Sequence, residues 1–241
     1  MKFLQIPAFE KLNELLSFET PSGLYVNGRI EVYSCKAAGV DKKLYRYLES
    51  KYSEDVFESK SLSPEQHYIN TTHSPFGPLS ELSSRKVLFY LIATLNASFQ
   101  DYDFRSLLPD NFIRHNSISS VINTINTTLF NLGGSNYLKQ NSLWEEVDNA
   151  ITLEDCQVYA YNPDSESDPY GDELPVWSFN LFFFNRKLKR ILFFTCRCSS
   201  ESLNHIDSAS SSGFALTPGD YDSASDVFVA DMEVSQECGL S

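Results

Sequence analysis

Positive charge is in short supply in this chain. Among its 241 residues, 19 are Lys or Arg and 32 are Asp or Glu, which leaves a formal net charge of -13. A molecule with that charge repels nucleic acid and anionic membranes. We therefore expect no sequence-specific DNA binding and no membrane association. An acidic protein is better suited to bind basic surfaces on other proteins.

Metal-binding and disulfide patterns are missing as well. The five cysteines form no Cys-x-x-Cys pair, and the four histidines do not cluster beside them. Structural zinc sites and disulfide frameworks both depend on regular spacing of such residues. We expect no bound metal, and we expect reduced thiols in the cytosol or the nucleus.

Long apolar runs and catalytic signatures are absent too. The most apolar helical segment, residues 86–95, has about half of the ~20 residues needed to span a bilayer. The N-terminus has no signal-peptide core. No nucleophile elbow, zinc-protease helix, phosphate-binding Gly loop or dinucleotide fingerprint occurs. We therefore expect a protein that is not an enzyme and that has no catalytic residues and no cofactor.

Apolar side chains recur at helical spacing in five segments of the chain. The third segment is apolar on all sides, which predicts a central, buried helix. The fifth opens with Ser142 and Glu145 in a capping-box arrangement. The predicted helices cover residues 9–16, 41–52, 83–99, 118–129 and 142–151.

Four segments have the composition of β-strands. Alternate positions of the first are apolar and share one face, which Gly28 interrupts. The last two are rich in aromatic residues and are separated by a short turn, which predicts a β-hairpin covered on both faces. The predicted strands are residues 24–35, 156–162, 176–184 and 188–196. We assign five hairpin residues to the core: Trp177, Phe179, Phe183, Ile191 and Phe193.

Two further segments lack any sustained apolar period. Residues 53–82 carry three prolines, and we predict a mobile insertion there. Residues 201–241 contain eight acidic residues and no Lys or Arg, which predicts a disordered, Ser- and Asp-rich acidic tail. The fold class predicted for residues 1–200 is α+β, a single globular domain with a central antiparallel sheet flanked by helices.

An acidic loop follows the second predicted strand. Its carboxylates at alternate positions resemble the start of a calcium loop. The match then fails, because Pro169 replaces the turn glycine and Pro175 replaces the bidentate glutamate. Loop carboxylates are usually just solvated, but partner binding remains open. The residues that we predict to contact a partner here are Asp164, Asp168, Tyr170 and Asp172.

Basic residues are concentrated around the hairpin turn. One interpretation is that they discourage strand-to-strand aggregation at a sheet edge. The other is that they anchor an acidic partner or belong to a nuclear import signal. The sequence favours neither. The basic residues predicted to contact a partner are Arg186, Lys187, Lys189 and Arg190.

The predicted insertion offers several serines for phosphorylation. Ser63 and Ser74 each precede a proline, and Ser59 and Ser61 flank Lys60. A phosphate adds about -1.5 to -2 charges at neutral pH. Such a charge can disrupt binding to an acidic partner or create a link to Arg and Lys.

Three long blocks of the sequence resemble the Maf-one family of RNA polymerase III repressors. They are residues 28–43, beginning GRIEVYSC, residues 84–104, containing LFYLIATLNASF, and residues 159–197, containing NPDSESDPYGDELPVWSFN. The resemblance spans about residues 1–200. Two positions depart from it, since Leu181 and Phe184 stand where many members of the family have Tyr.

The resemblance implies a repressor that binds RNA polymerase III and blocks its engagement with promoter-bound initiation factors. The implied outcome is lower synthesis of transfer RNA and 5S ribosomal RNA under stress and nutrient limitation. It also implies phosphorylation by growth-signalling kinases, reversal by phosphatases, and shuttling between nucleus and cytoplasm. An alternative from another class is a small-molecule-sensing α+β regulatory domain.

Overall fold

The computed structural model describes residues 1–36, 39–59, 74–133, 143–163, 168–169 and 175–200. Within these ranges the chain forms five α-helices and seven β-strands. The helices are α1 (Pro7–Leu15), α2 (Gly39–Ser59), α3 (Leu82–Ser98), α4 (Ile118–Asn131) and α5 (Leu143–Ile151). The strands are β1 (Lys2–Leu4), β2 (Phe18–Glu19), β3 (Tyr25–Ser34), β4 (Phe112–His115), β5 (Cys156–Tyr161), β6 (Trp177–Asn185) and β7 (Arg190–Ser199).

The seven strands form one antiparallel sheet in the order β1-β3-β7-β6-β5-β4, with β2 paired to β3. Strand β7 lies in the middle of the sheet. It pairs with the whole length of β3, from Tyr25 opposite Ser199 to Ser34 opposite Arg190, and with β6 on its other side. The predicted α+β fold with a central antiparallel sheet and flanking helices is confirmed. Strands β1, β2 and β4 are not among the strands predicted from the sequence.

Helices cover both faces of the sheet, because successive side chains of a strand point to opposite sides. On one face, Val26, Ile30 and Val32 of β3 pack in a cluster with residues of α1, α4 and α5. On the other face, residues of β6 and β7 pack in a cluster with α2 and α3. The two faces meet in the hairpin, where Phe183 belongs to the first cluster and Phe193 to the second. The hairpin is therefore covered by helices on both faces, as its sequence predicts.

Helix α3 is buried on nearly all sides, as its sequence predicts. Its residues from Val87 to Leu95 are buried except for Tyr90, which is half-buried. Tyr90 contacts Phe184 of the sheet with ring centroids 5.8 Å apart, and Phe89 contacts Tyr45 of α2 at 5.3 Å. Helix α3 therefore lies between the sheet and α2. None of the helices in the described ranges is long and apolar enough to cross a membrane.

The edge of β3 is unpaired between β1 and β2, and a side chain fills this gap. Asn13 of α1 accepts a hydrogen bond from the Ile30 backbone N–H at 2.8 Å and donates one to the Ile30 carbonyl at 3.3 Å. The amide side chain thus supplies the two hydrogen bonds of a neighbouring strand. Helix α1 also approaches β3 closely at Gly28, where an added Cβ would lie 2.8 Å from the Cβ of Leu16.

The structure describes both ends of the segment predicted as a mobile insertion, residues 53–82, and they form elements that the sequence does not indicate. Residues 53–59 continue α2, and residues 74–81 form turns that lead into α3. Phe76 explains the second difference, because it is buried and its ring lies 5.7 Å from that of Phe112 and 5.3 Å from that of Tyr159. Residues 60–73 and the predicted tail at 201–241 lie outside the described residues.

Candidate functional site

The turn between β6 and β7 carries the predicted basic residues. Strand β6 ends at Asn185 and β7 begins at Arg190, so the turn is longer than the three residues predicted. Lys189 adopts a left-handed backbone conformation with φ of 51°, and its N–H donates to the Arg186 carbonyl at 3.3 Å. Arg186, Lys187 and Lys189 are exposed, whereas Arg190 is half-buried.

This turn also caps the C-terminal end of α5. Arg190 Nη1 donates to the Ala150 carbonyl at 2.9 Å, and Asn185 Nδ2 donates to the Ile151 carbonyl at 2.8 Å. The last carbonyls of a helix lack partners within the helix and carry partial negative charge. Arg190 therefore has a structural role as a donor to the end of α5. Its position in the sequence beside three exposed basic residues does not indicate this role.

Lys187 makes a surface ion pair with Asp155. The distance from Nζ to Oδ1 is 2.6 Å, and the two side chains are 75% and 32% exposed. The hydrogen bond that Lys187 donates to Asp155, together with the negative charge of Asp155, raises the pKa of Lys187 above its usual value. Because the pair is open to solvent, it contributes little to stability and leaves Lys187 available to a partner.

Arg186 belongs to a small polar network on the face of the sheet that packs against α3. Its Nε and the Tyr159 hydroxyl each donate to Gln157 Oε1 at 3.1 Å. Its guanidinium also lies 5.9 Å from the centroid of the Phe184 ring. These contacts hold one end of Arg186 in place, so its position is more defined than that of a solvated side chain.

Arg114 joins this network from β4. It lies directly opposite Tyr159 in the strand register. Burial raises the pKa of Tyr159, and the positive charges of Arg114 and Arg186 partly oppose that rise. Sequence reasoning missed Arg114, because only the register between β4 and β5 places it beside the hairpin turn.

The acidic loop runs from the end of β5 to the start of β6. Among its predicted contact residues, Asp168 is half-buried, whereas Asp164, Tyr170 and Asp172 lie outside the described residues. The loop joins β6 at Trp177, and the basic turn follows the other end of β6 at Asn185. At about 3.3 Å per residue, these ends are about 25 Å apart. A partner that contacts residues at both ends of β6 must therefore span about the length of that strand.

The predicted phosphorylation sites fall in different surroundings. Ser74 is half-buried, and its Oγ accepts a hydrogen bond from the Phe76 N–H at 3.3 Å. Ser59 is the last residue of α2. Ser61 and Ser63 lie outside the described residues.

The cysteines of the described ranges are poor nucleophiles. Burial raises the pKa of Cys35 and of Cys156 to about 12, and it also raises the pKa of Cys196 and Cys198. The thiolate is the reactive form, so these thiols are inert near neutral pH. In the same ranges, no group of three or more His, Cys, Asp or Glu side chains is placed to hold a metal ion.

A groove of about 750 Å³ lies between the N-terminal end of α4 and the connection from α5 to β5. Its lining includes Arg114, His115, Asp148 and Glu154, and most of its side chains are polar. Small-molecule sites are usually lined mainly by apolar and aromatic groups. The groove therefore does not favour the small-molecule alternative.

Comparison with known proteins decides the family. A family model described as Maf1 regulator matches residues 26–195. The chain belongs to the Maf1 family. The matched range includes the basic turn, the acidic loop, α3 and both arginines of the network around Tyr159. The resemblance seen in the sequence is confirmed.

Curated relatives in this family are named as repressors. The Schizosaccharomyces pombe "Repressor of RNA polymerase III transcription maf1" is 44% identical over 194 residues, which cover 80% of this chain and 81% of the relative. A Dictyostelium discoideum "Repressor of RNA polymerase III transcription" is 33% identical over 239 residues, which cover 83% of this chain and 86% of the relative.

Solved structures of the Maf1 family have a similar fold. A crystal structure of citrus MAF1 matches with a TM-score of 0.59 and 32% identity, covering 80% of this chain and 98% of that one. A second crystal form matches with a TM-score of 0.60 and 29% identity, covering 82% and 99%. The match covers nearly the whole of each crystallised Maf1 chain.

Proposed function

We propose that this protein represses transcription by RNA polymerase III and that it does so by binding the polymerase. The match to the Maf1 regulator family over residues 26–195 carries the proposal. Relatives that share most of their length with this chain are named as repressors of that transcription. We further propose that the bound protein blocks engagement with promoter-bound initiation factors. The affected products are transfer RNA and 5S ribosomal RNA.

The mechanism that we propose is occlusion of a surface on the polymerase. The acidic loop would dock on basic polymerase surface, and the basic turn would contact acidic polymerase surface. Complementary charges mainly speed encounter and set orientation. Two contact sets of opposite sign would fix the orientation of the protein on its partner.

Phosphorylation is the proposed control on this binding. Growth-signalling kinases would modify Ser59, Ser61, Ser63 or Ser74, and phosphatases would reverse the change. Added negative charge would weaken contact with acidic polymerase surface. At Ser74 a phosphate would also replace the hydroxyl that accepts from the Phe76 N–H. We propose shuttling between the nucleus and the cytoplasm as the consequence for localisation.

A purified transcription system tests the proposal. The unphosphorylated protein is added to RNA polymerase III before or after the initiation complex assembles on a transfer RNA gene, and transcript is counted. We expect strong loss of transcript when the protein is added first and little loss when it is added last. RNA polymerase II on its own promoter is the control and should keep its output. Unchanged polymerase III output in both orders of addition would rule out the proposal.

A further inference from the structure

Two arginines, one on β4 and one in the turn between β6 and β7, lie near Tyr159 and act on its hydroxyl through their charge. Arg114 of β4 lies opposite Tyr159 in the sheet. Arg186 is held beside it, because both Arg186 Nε and the Tyr159 hydroxyl donate to Gln157 Oε1. Both arginine side chains are exposed, and the ring of Tyr159 is buried beneath them.

The electrostatic surroundings of this pair are unusual for a protein of net charge -13. The charges that act on the Tyr159 hydroxyl are those of Arg114 and Arg186, and both are positive. In the described ranges neither arginine pairs with a carboxylate, whereas Arg29, Arg85 and Arg105 each do. The two arginines therefore form a locally positive patch, with no ion-paired carboxylate in the described ranges, on an acidic protein.

We propose that Arg114 and Arg186 bind carboxylate side chains of an acidic peptide segment in a protein partner. A guanidinium presents a planar fork of donors that matches the two oxygens of a carboxylate. Arg186 is already ordered by Gln157 and by the Phe184 ring, which reduces the entropy lost on binding. A nucleic acid is a poorer fit, because its many phosphates would be repelled by the rest of the molecule.

The positions and charges of Arg114 and Arg186 support binding of an acidic segment whatever the source of that segment. Only the naming of RNA polymerase III as the source rests on the proposed function. Arg114 is added here as a binding residue, because it was not among the hairpin residues predicted to contact a partner. The pair also explains how an acidic protein can bind an acidic segment, since the patch is local.

Fluorescence anisotropy with a short labelled peptide of alternating Glu and Ser tests the site directly. The full-length protein should bind this peptide and not the matching peptide of Gln and Ser. Arg114→Gln and Arg186→Gln should each weaken binding by about tenfold, the usual scale for a hydrogen bond between charged groups. Arg105→Gln is the matched control, because it removes the same charge from an exposed, carboxylate-paired arginine elsewhere. It should leave the affinity unchanged.

Two further variants separate geometry from charge. Arg114→Lys and Arg186→Lys keep the positive charge and lose the planar fork, so each should recover part of the affinity. Because both side chains are exposed, every variant should keep the melting temperature of the wild type within a few degrees.

Three results would overturn the site. They are no binding of the Glu peptide by the wild type, equal weakening by Arg105→Gln, and tighter binding of a single-stranded oligonucleotide than of the peptide. Polymerase binding by the wild type is measured in parallel. Peptide binding without polymerase binding would refute the proposed function and leave the site intact.

Discussion

Arg190 and Lys187 lie on the same turn and carry the same charge, but they make different contacts. Arg190 donates to the Ala150 carbonyl at the end of α5, and its side chain is half-buried. Lys187 pairs with Asp155 in a solvated position. A cation at a partly buried helix end stabilises more than an exposed ion pair does.

We therefore expect unequal losses of stability when the two are replaced. Arg190→Ala should lower the free energy of unfolding by about 1–2 kcal/mol, because a helix carbonyl loses its charged donor. Lys187→Ala should change it by less than about 0.5 kcal/mol. Urea unfolding followed by tryptophan fluorescence measures both. Equal losses for the two variants would show that the cap on α5 has no energetic weight.

At this scale the sequence predicts which residues are charged and exposed, but it does not predict what they touch. Arg186, Lys187 and Lys189 are exposed on the turn, as a basic cluster between two strands suggests. The role of Arg190 depends on where α5 ends in space. The role of Arg114 depends on a strand register that no local pattern specifies.

Helix α1 supplies, through one side chain, hydrogen bonds that a neighbouring strand would otherwise make. Its Asn13 side chain supplies a donor and an acceptor to Ile30, in the gap that β1 and β2 leave on the edge of β3. Gly28 allows this approach, because any Cβ there would collide with Leu16. The helix thus closes a sheet edge that would otherwise expose unpaired backbone groups.

Replacing Asn13 should open this edge. Asn13→Ala removes both partners of Ile30, and we expect a loss of about 1–3 kcal/mol in the free energy of unfolding. Asn13→Asp keeps the acceptor but sets a carboxylate against the Ile30 carbonyl, so it should not be better than alanine. Hydrogen exchange at the Ile30 amide should speed up in Asn13→Ala, whereas Asn13→Asp keeps the acceptor for this amide.

The exposed Asn123 on α4 provides the control for this experiment. Asn123→Ala should change stability by less than about 0.5 kcal/mol and leave the Ile30 amide protected. Protection of the Ile30 amide that survives in Asn13→Ala would contradict the role assigned to α1.

Elements with many periodic residues were predictable, and short ones were not. Helices α3 and α4 and strands β6 and β7 follow their apolar patterns closely. Strands β1, β2 and β4 have two to four residues each, too few to show a period. Residues 74–81 look irregular in sequence. Tertiary contacts order them, among them the ring contacts of Phe76 and the hydrogen bonds from Arg85 Nη1 to the Leu79 and Ser80 carbonyls.

At the scale of the whole molecule, buried thiols make the free energy of unfolding depend on pH in the alkaline range. Burial raises the pKa of Cys35 from 9.0 to about 12, and that of Cys156 to a similar value. In the unfolded chain each thiol loses its proton near its ordinary pKa, while the folded state keeps it. The contribution of these protonated thiols to the free energy of unfolding is therefore fully present below about pH 9 and is lost as pH rises toward 12.

We expect the free energy of unfolding to fall between pH 8 and pH 10. Cys35 should contribute about 1 kcal/mol of this fall, and the more exposed Cys156 should contribute less. Urea unfolding at the two pH values measures the change. Cys35→Ala should reduce the pH dependence relative to the wild type. An identical slope in this variant would mean that the Cys35 thiol titrates normally in the folded state.

The position of β7 in the sheet has a consequence for synthesis of the chain. This strand is the furthest along the sequence of those described, and it lies between β3 and β6. A nascent chain that has not yet reached residue 190 exposes the inner edges of both neighbours, rich in aromatic and β-branched residues. Pairing β3 with β7 closes a loop of most of the domain, which makes folding slow. Production of this protein in the cell should therefore depend on chaperones that shield those edges on the ribosome.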